Sequence, residues 1–207
     1  MQTLISPGFE KLLGNHSLEE IMEDKNSIFG LWNDFTLGFV NTGWINFAEE
    51  NQGPSELSSP ECLGTDIIEV CGEKLAPFYR DLFQSALSAG EEELHPHQHQ
   101  YECSSPELYR KFLMTVYPLG AGEGLLVTNS LVVEMEHHRR KTVSYPADPS
   151  EYRDENGLIH QCSHCRKVKH TGPGNRWDWV PEWVRELPSG VSHTLCQVCL
   201  DHYYPEE

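Results

Sequence analysis

The sequence has few basic residues and no long apolar segment. Its 207 residues include 15 lysines and arginines against 32 aspartates and glutamates, which gives a formal net charge of −17 with histidine neutral. A surface this acidic repels phosphate backbones and lipid headgroups, so we expect no membrane binding and no nonspecific binding to nucleic acid. No run approaches the about 18 consecutive apolar residues of a membrane helix. Residues 1–14 also lack the pattern of a secretion signal, and we therefore expect a cytoplasmic protein.

The remaining composition is that of a folded protein with two unequal parts. Hydrophobic residues make up 38% and aromatic residues 10%, which is enough for a core. Residues 151–207 hold six basic and nine acidic side chains, whereas residues 1–150 hold nine basic and 23 acidic ones. The proline-punctuated segment 146–150 separates these parts. We predict an N-terminal helix or extension at 1–25, a main domain at 26–145 and a cysteine-rich module at 151–207.

Apolar periodicity predicts an α+β fold for the main domain. Short helices are expected after Ser17, which begins a capping-box sequence, and after Asn41. A longer helix is expected at 73–89, where Gly90 would end it. Five strands are predicted at 28–32, 36–40, 92–103, 108–117 and 124–135. Two strands, then helices, then three strands predict an antiparallel sheet with central helices, while the type of the short element at 67–70 stays open.

Four of the seven cysteines form two CxxC pairs, Cys162 with Cys165 and Cys196 with Cys199. Because cytoplasmic cysteines stay reduced, such pairs point to metal or redox chemistry rather than to disulfides. Two tight turns would supply the tetrahedral thiolate set that zinc prefers at a closed structural site, in a small zinc-ribbon-like module. An iron–sulfur cluster uses the same thiolates and remains an alternative. Neither pair is followed by the histidine of a c-type haem motif.

Two histidines and three tryptophans bear on this ligand set. His164 lies inside the first pair and His193 lies three residues before Cys196, so either could replace a thiolate. For His193 we favour a hydrogen bond to a ligand or to a turn over direct ligation. Three tryptophans between the pairs are expected to fill the space beside the metal: Trp177, Trp179 and Trp183. An aromatic cage for a cationic ligand is the alternative interpretation of these rings.

Short motifs in the main domain resemble those of PAS domains. They are the hairpin end Gly38-Phe39-Val40-Asn41, the following Trp44-Ile45-Asn46-Phe47-Ala48, and Leu63-Gly64-Thr65-Asp66. Over about residues 25–204, the chain resembles a group of small bacterial PAS proteins. The group has a Cys-Asp/Ser-Ala/Ser-Pro motif, here at 103–106, and a cysteine-rich tail whose second half matches residues 192–200. Thr194 and Gln197 replace the glycine and proline of that tail, which changes the turn but no sulfur.

The resemblance implies a sheet that cups a small ligand, or none, against its central helices, and it identifies no ligand. The flavin-binding, light-sensing branch needs a cysteine where Ile67 stands. Haem-binding members commonly use a histidine on the long helix, and 73–89 contains none, so both cofactors are disfavoured. His95, His97 and His99 alternate, and we interpret them as a solvent-facing polar strip rather than a metal site. Cys103 is equally compatible with a packed strand residue and a redox-responsive thiol.

No kinase, cyclase or helix-turn-helix output module is recognisable, so the resemblance implies a sensory or adaptor protein rather than an enzyme. We expect it to signal through contacts with a protein partner, with zinc in a structural role. A homodimer through an N-terminal helix at 17–25 would follow the habit of PAS domains. Two alternatives remain: a thiol-based redox enzyme or sensor using the CxxC pairs, and a zinc-dependent transcription regulator. The second would use the basic residues of the tail, Arg166, Lys167, Lys169, His170 and Arg176.

Overall fold

A computed structural model describes residues 4–14, 16–51, 53–89, 96–105 and 107–205. Contacts between residues divide the chain into two compact units. The first contains Met1–His99 and Leu113–Ser130, and the second contains Gln100–Phe112 and Leu131–Glu207. This grouping does not test the division at 1–25, 26–145 and 151–207, which stays a prediction.

The larger sheet has six strands. They are β1 (Leu4–Ile5), β2 (Ser27–Trp32), β3 (Leu37–Val40), β4 (His97–Glu102), β5 (Leu108–Leu119) and β6 (Gly124–Glu136). Their order in the sheet is β1-β3-β2-β6-β5-β4, and β2 runs antiparallel to both β3 and β6. The antiparallel sheet and the mixed α/β composition confirm that part of the prediction. The predicted residues 90–95, which include Gly90 and His95, lie outside the described residues.

Between β1 and β4, the described residues form four α-helices. They are α1 (Leu18–Glu23), α2 (Thr42–Glu50), α3 (Ile67–Val70) and α4 (Ala76–Ser88). The capping box is confirmed, because the Ser17 hydroxyl accepts a hydrogen bond from the Glu20 N–H at 3.3 Å. The undecided element is a single helical turn, α3, which begins after Asp66; the Asp66 carboxylate accepts from the Ile68 N–H at 2.8 Å. Helix α4 begins three residues later than predicted, after a turn.

Asn41 connects β2, β3 and α2 from a position with no solvent exposure. Its Oδ1 accepts hydrogen bonds from the Ile28 N–H and the Trp44 N–H, each at 2.9 Å. Its Nδ2 donates to three backbone carbonyls in the segment before β2, those of Ile21, Asp24 and Asn26. The side chain therefore begins α2 and also holds the segment that precedes the hairpin.

Residues 4–13 contribute Leu4, Phe9 and Leu13 to the core of the first unit, which the sequence pattern did not indicate. Strand β1 pairs antiparallel with β3, and the ring of Phe9 is completely buried. Phe9 stacks on Phe39 with ring centroids 6.4 Å apart. Its ring occupies the space above Gly30 and Gly38, where a Cβ atom on either glycine would collide with it. Both glycines are thus required by the close approach of an aromatic ring.

A second sheet of four short strands forms in the C-terminal part of the second unit. Its strands are β7 (Ile159–Cys162), β8 (Val168–Lys169), β9 (Trp177–Asp178) and β10 (Val191–Thr194), in the order β10-β7-β8-β9. Strand β10 runs parallel to β7, and the other pairs are antiparallel. Three short helices accompany it: α5 (Pro149–Tyr152), α6 (Pro181–Arg185) and α7 (Gln197–Tyr203). None of the helices in the described residues has the length and hydropathy to span a bilayer.

Candidate metal centre

The first CxxC pair lies on the turn between β7 and β8. Cys162 is the last residue of β7, and its N–H donates to the carbonyl of Lys167 at 2.8 Å. The Arg166 N–H donates to the carbonyl of Cys162 at 3.1 Å, and Arg166 adopts the left-handed conformation with φ of 59°. This tight turn brings the sulfurs of Cys162 and Cys165 to the same side, as the spacing predicted.

The second pair lies at the start of a helix instead of in a second tight turn. Cys196 is the N-cap of α7, and its Sγ accepts a hydrogen bond from the Cys199 N–H at 3.4 Å. Cys199 lies in the first turn of that helix. The two-residue spacer therefore spans one helical turn here. Like a hairpin turn, a helical turn places the side chains of Cys196 and Cys199 on the same side. The module is built from one hairpin turn and one helix start, not from the two turns we expected.

The four cysteines of the two pairs lie together. Their sulfurs are all within 4.8 Å of one another, and the Sγ atoms of Cys165 and Cys196 are 3.7 Å apart. A zinc ion with four Zn–S bonds of about 2.3 Å has sulfurs about 3.8 Å apart along the edges of its tetrahedron. Three of the cysteines are buried and Cys165 is half-buried. These four side chains are thus positioned to bind a metal ion, and their geometry suits zinc.

The charge of the cluster also calls for a cation. Hydrogen bonds from the other three thiols hold the pKa of Cys162 below its ordinary value. The pKa values of Cys165 and Cys199 are raised, first through their hydrogen bonds to Cys162. The pKa of Cys196 is also below its ordinary value, so two of the four thiols ionise readily, whereas ionisation of Cys165 and Cys199 beside them is opposed. A divalent cation would supply the positive charge that allows all four to ionise.

His164 is not available as a ligand, although it lies inside the first pair. Its Nδ1 lies 2.9 Å from the carbonyl oxygen of Glu102, so this nitrogen carries the proton and donates. Its Nε2 then accepts from the Tyr204 hydroxyl at 2.7 Å. The ring is buried, and this desolvation lowers the pKa of His164 and favours its neutral form. His164 joins strand β4 to the cysteine turn, a role that sequence reasoning missed.

His193 also lies outside the sulfur cluster. It is exposed on β10, in register with Gln161 of β7. Among the described residues it makes no hydrogen bond to a cysteine sulfur, and burial of part of its ring lowers its pKa. The expected hydrogen bond from His193 to a ligand is therefore not formed.

The tryptophans divide between two places. Trp177 and Trp179 line a cavity of about 260 Å³ together with Cys165, Cys196 and Cys199, so they do lie beside the sulfur cluster. Trp183 packs in a separate hydrophobic cluster against Tyr152, with ring centroids 5.2 Å apart. A cage of three tryptophans is therefore not formed, because the third ring stabilises the core of the module.

The predicted polar strip on β4 is wrong at His99. This side chain is 8% exposed and packs between two rings of α4, with centroid distances of 4.7 Å to Phe78 and 6.1 Å to Tyr79. His97 is half-buried, and His95 lies outside the described residues. Alternation placed the two described histidines on one face, but that face meets α4 instead of solvent.

The three other cysteines lie apart from the cluster. Cys62 is buried, and desolvation raises its pKa. Cys71 is half-buried, and desolvation, followed by the negative charge of Asp66, raises its pKa to about 11. Cys103 is half-buried and free, so the structure leaves both interpretations of this thiol open.

Comparison with known proteins identifies no family for this chain. No family model matches the chain, and no curated protein matches it. Among solved structures, it is similar to the PAS domain of an HTR-like protein from Haloarcula marismortui. The two share 18% sequence identity, the match covers 55% of this chain and 91% of that domain, and the TM-score is 0.33. A similarity of this size does not define a common fold, so the fold description rests on the strand order and helices of the chain itself.

Proposed function

We propose that this chain is a cytoplasmic sensory or adaptor protein, not an enzyme, that signals through contacts with a protein partner. A structural zinc ion would hold its C-terminal module. The observation that carries this proposal is the cluster of four cysteine sulfurs within 4.8 Å of one another, on a turn and a helix that are far apart in sequence. The metal would link these two elements by binding both at once.

The ligand set supports a structural rather than a catalytic ion. A catalytic zinc keeps one position open for water or substrate, whereas four thiolates fill a tetrahedron. The hydrogen bonds of His164 and the exposure of His193 leave neither as a replacement ligand. With Cys162, Cys165, Cys196 and Cys199 all bound, the ion would supply only cross-linking of the chain.

The sensory role rests on the architecture of the larger sheet and on the resemblance to PAS proteins of the bacterial group. The antiparallel sheet has its helices inserted between β3 and β4, and the buried rings of Tyr79 and Phe83 lie on one of these helices, α4. A PAS-like sheet of this kind presents one face to helices and the other to partners. The ligand of such a domain, if it has one, is not identified, and a homodimer through α1 belongs to the same proposal.

The basic residues of the tail give no support to a nucleic-acid-binding regulator. Arg176 pairs with the buried Asp178 at 3.0 Å, and His170 contacts Glu151 at 3.1 Å. These two side chains are thus held by acidic neighbours within the module. The net charge of −17 acts in the same direction.

The proposal is tested by the metal content of the purified full-length chain. Elemental analysis should find one zinc per chain, and Cys162→Ser or Cys199→Ser should reduce this to well below one, because each removes a ligand. Cys103→Ser is the matched control, since it removes a half-buried cysteine outside the cluster and should keep the zinc. Iron instead of zinc, or full zinc content in Cys199→Ser, would contradict the assignment.

A further inference from the structure

The four sulfurs of the centre differ in exposure. Cys162, Cys196 and Cys199 are 0%, 3% and 4% exposed, whereas Cys165 is half-buried. A reagent that arrives from solvent therefore meets Cys165 first. Because thiol reactivity depends on access as well as on thiolate character, this difference separates one ligand from the other three.

The four sulfurs also differ in the hydrogen bonds that they accept. The Sγ of Cys162 accepts from the Cys196 N–H, and the Sγ of Cys196 accepts from the Cys199 N–H, both at 3.4 Å. Such bonds withdraw electron density from sulfur and lower its nucleophilicity. Within the described residues, no backbone N–H donates to the Sγ of Cys165 or Cys199. Of these two, only Cys165 is also accessible.

A cavity borders the sulfur centre. Its volume is about 260 Å³, and its lining includes Cys165 together with the more deeply buried Cys196 and Cys199, and the cations Lys167 and Arg140. A molecule of the size of water occupies about 30 Å³ in the liquid, so a small peroxide fits easily. Lys167 on the wall favours the negative charge that develops on a departing oxygen, whereas Arg140 is paired with Glu102 at 3.7 Å.

We propose that Cys165 is an oxidation site, at which a hydroperoxide such as hydrogen peroxide opens the zinc centre. The proposal rests on the zinc centre proposed above. Cys196 is the resolving residue, because its Sγ is 3.7 Å from that of Cys165 and a disulfide between them requires only a short approach. The reaction would convert a structural ion into one that is released by oxidant.

The chemistry is a two-electron oxidation in two steps. The Cys165 thiolate attacks one peroxide oxygen, the O–O bond breaks, and hydroxide leaves to take up a proton, which gives sulfenic acid and water. The Cys196 thiolate then attacks the sulfenic sulfur, the S–O bond breaks, and a second hydroxide leaves as water after protonation. Two thiolates have supplied the two electrons that reduce the peroxide. Cys162 and Cys199 would then be the only thiolate ligands left to hold a zinc ion, which is too few for a closed structural site.

The other cysteines outside the centre provide internal controls. The raised pKa values of Cys62 and Cys71 keep both as thiols at neutral pH, so they react slowly. Cys103 is half-buried like Cys71, and its removal leaves the ligand set intact. A Cys103→Ser chain therefore reports on the centre alone.

The test uses the full-length chain after its zinc content has been measured. It is treated with hydrogen peroxide, zinc release is followed with a chromogenic chelator, and adducts trapped with dimedone are mapped by mass spectrometry. We expect the first adduct on Cys165 and then a Cys165–Cys196 disulfide. Zinc should be released at the same rate as this disulfide forms. Lys167→Glu should slow release about five-fold because it reverses a charge on the cavity wall, whereas Lys169→Glu, outside this cavity, should not.

The outcomes separate the two proposals. Protein without zinc at the start would overturn the proposed structural centre. Protein with zinc that is first oxidised at Cys103, Cys162 or Cys199 would overturn the assignment of Cys165 alone. Equal release rates for Lys167→Glu and Lys169→Glu would also overturn it, because access would then not run through this cavity. Release that is unchanged in Cys103→Ser is the supporting result.

Discussion

His164 shows how one side chain holds a turn without binding the metal. Replacing it with alanine removes the donor to the Glu102 carbonyl and the acceptor for the Tyr204 hydroxyl, and both are buried groups. We expect His164→Ala to keep one zinc per chain and to lose about 1–3 kcal/mol in the free energy of unfolding. Urea titration and elemental analysis of the same sample measure the two effects.

The exposed His193 is the matched control for that variant. His193→Ala removes a histidine from β10 without breaking a hydrogen bond to the cluster, so both stability and zinc content should stay near those of the parent. Loss of zinc from a folded His164→Ala chain would contradict this prediction, because the metal would then depend on His164.

At the same scale, the grouping of the four cysteines was predictable from sequence, whereas the residues that support this grouping were not. A two-residue spacer restricts where two side chains can point, so the sequence alone indicates that Cys162 and Cys165, and likewise Cys196 and Cys199, point to one place. His164 contacts residues 62 and 40 positions away, and no local pattern connects such distances. The prediction that His99 faces solvent was wrong for a related reason. Alternation shows which residues share a face of a strand, but it does not show which face is covered by other elements.

Among the elements, the hairpin of β2 and β3 is fitted to a ring from the N-terminal segment. Gly38→Ala would place a methyl group against Phe9, and we expect it to destabilise the chain by about 1–3 kcal/mol. In a Phe9→Ala background the ring is gone, so the same substitution should cost less. Chemical denaturation of the four chains in this cycle measures the coupling, and equal costs in both backgrounds would refute the contact.

The packing of Phe9 against this hairpin was not predictable from the sequence, unlike several of the elements themselves. The hairpin, α1 and α2 followed from capping residues and alternation, which are local signals. The short strand β1 and the buried Phe9 were missed, because two paired residues and one turn carry too little periodicity to stand out. The start of α7 at Cys196 was missed because a CxxC spacing suits a helical turn as well as a hairpin turn.

For the whole molecule, zinc removal should affect the two parts of the chain unequally. Chelation takes away the link between the β7–β8 turn and α7, whereas the first unit keeps its own hydrophobic core around Phe9 and Phe39. Hydrogen exchange should rise roughly ten-fold or more in 159–204 and stay nearly unchanged in β2 and β3. Unchanged exchange in 159–204 after complete zinc removal would show that the metal does not hold this module.

The helix position of the second cysteine pair has a consequence for synthesis of the chain. Cys162 and Cys196 are 34 residues apart, so the turn with the first two sulfurs leaves the ribosome well before its partners. At typical elongation rates of about 5–20 residues per second, the delay is about 2–7 s. During that interval the nascent chain offers metal ions only two thiolates. The order of translation thus makes completion of the centre a late event and leaves Cys165 unprotected until α7 arrives.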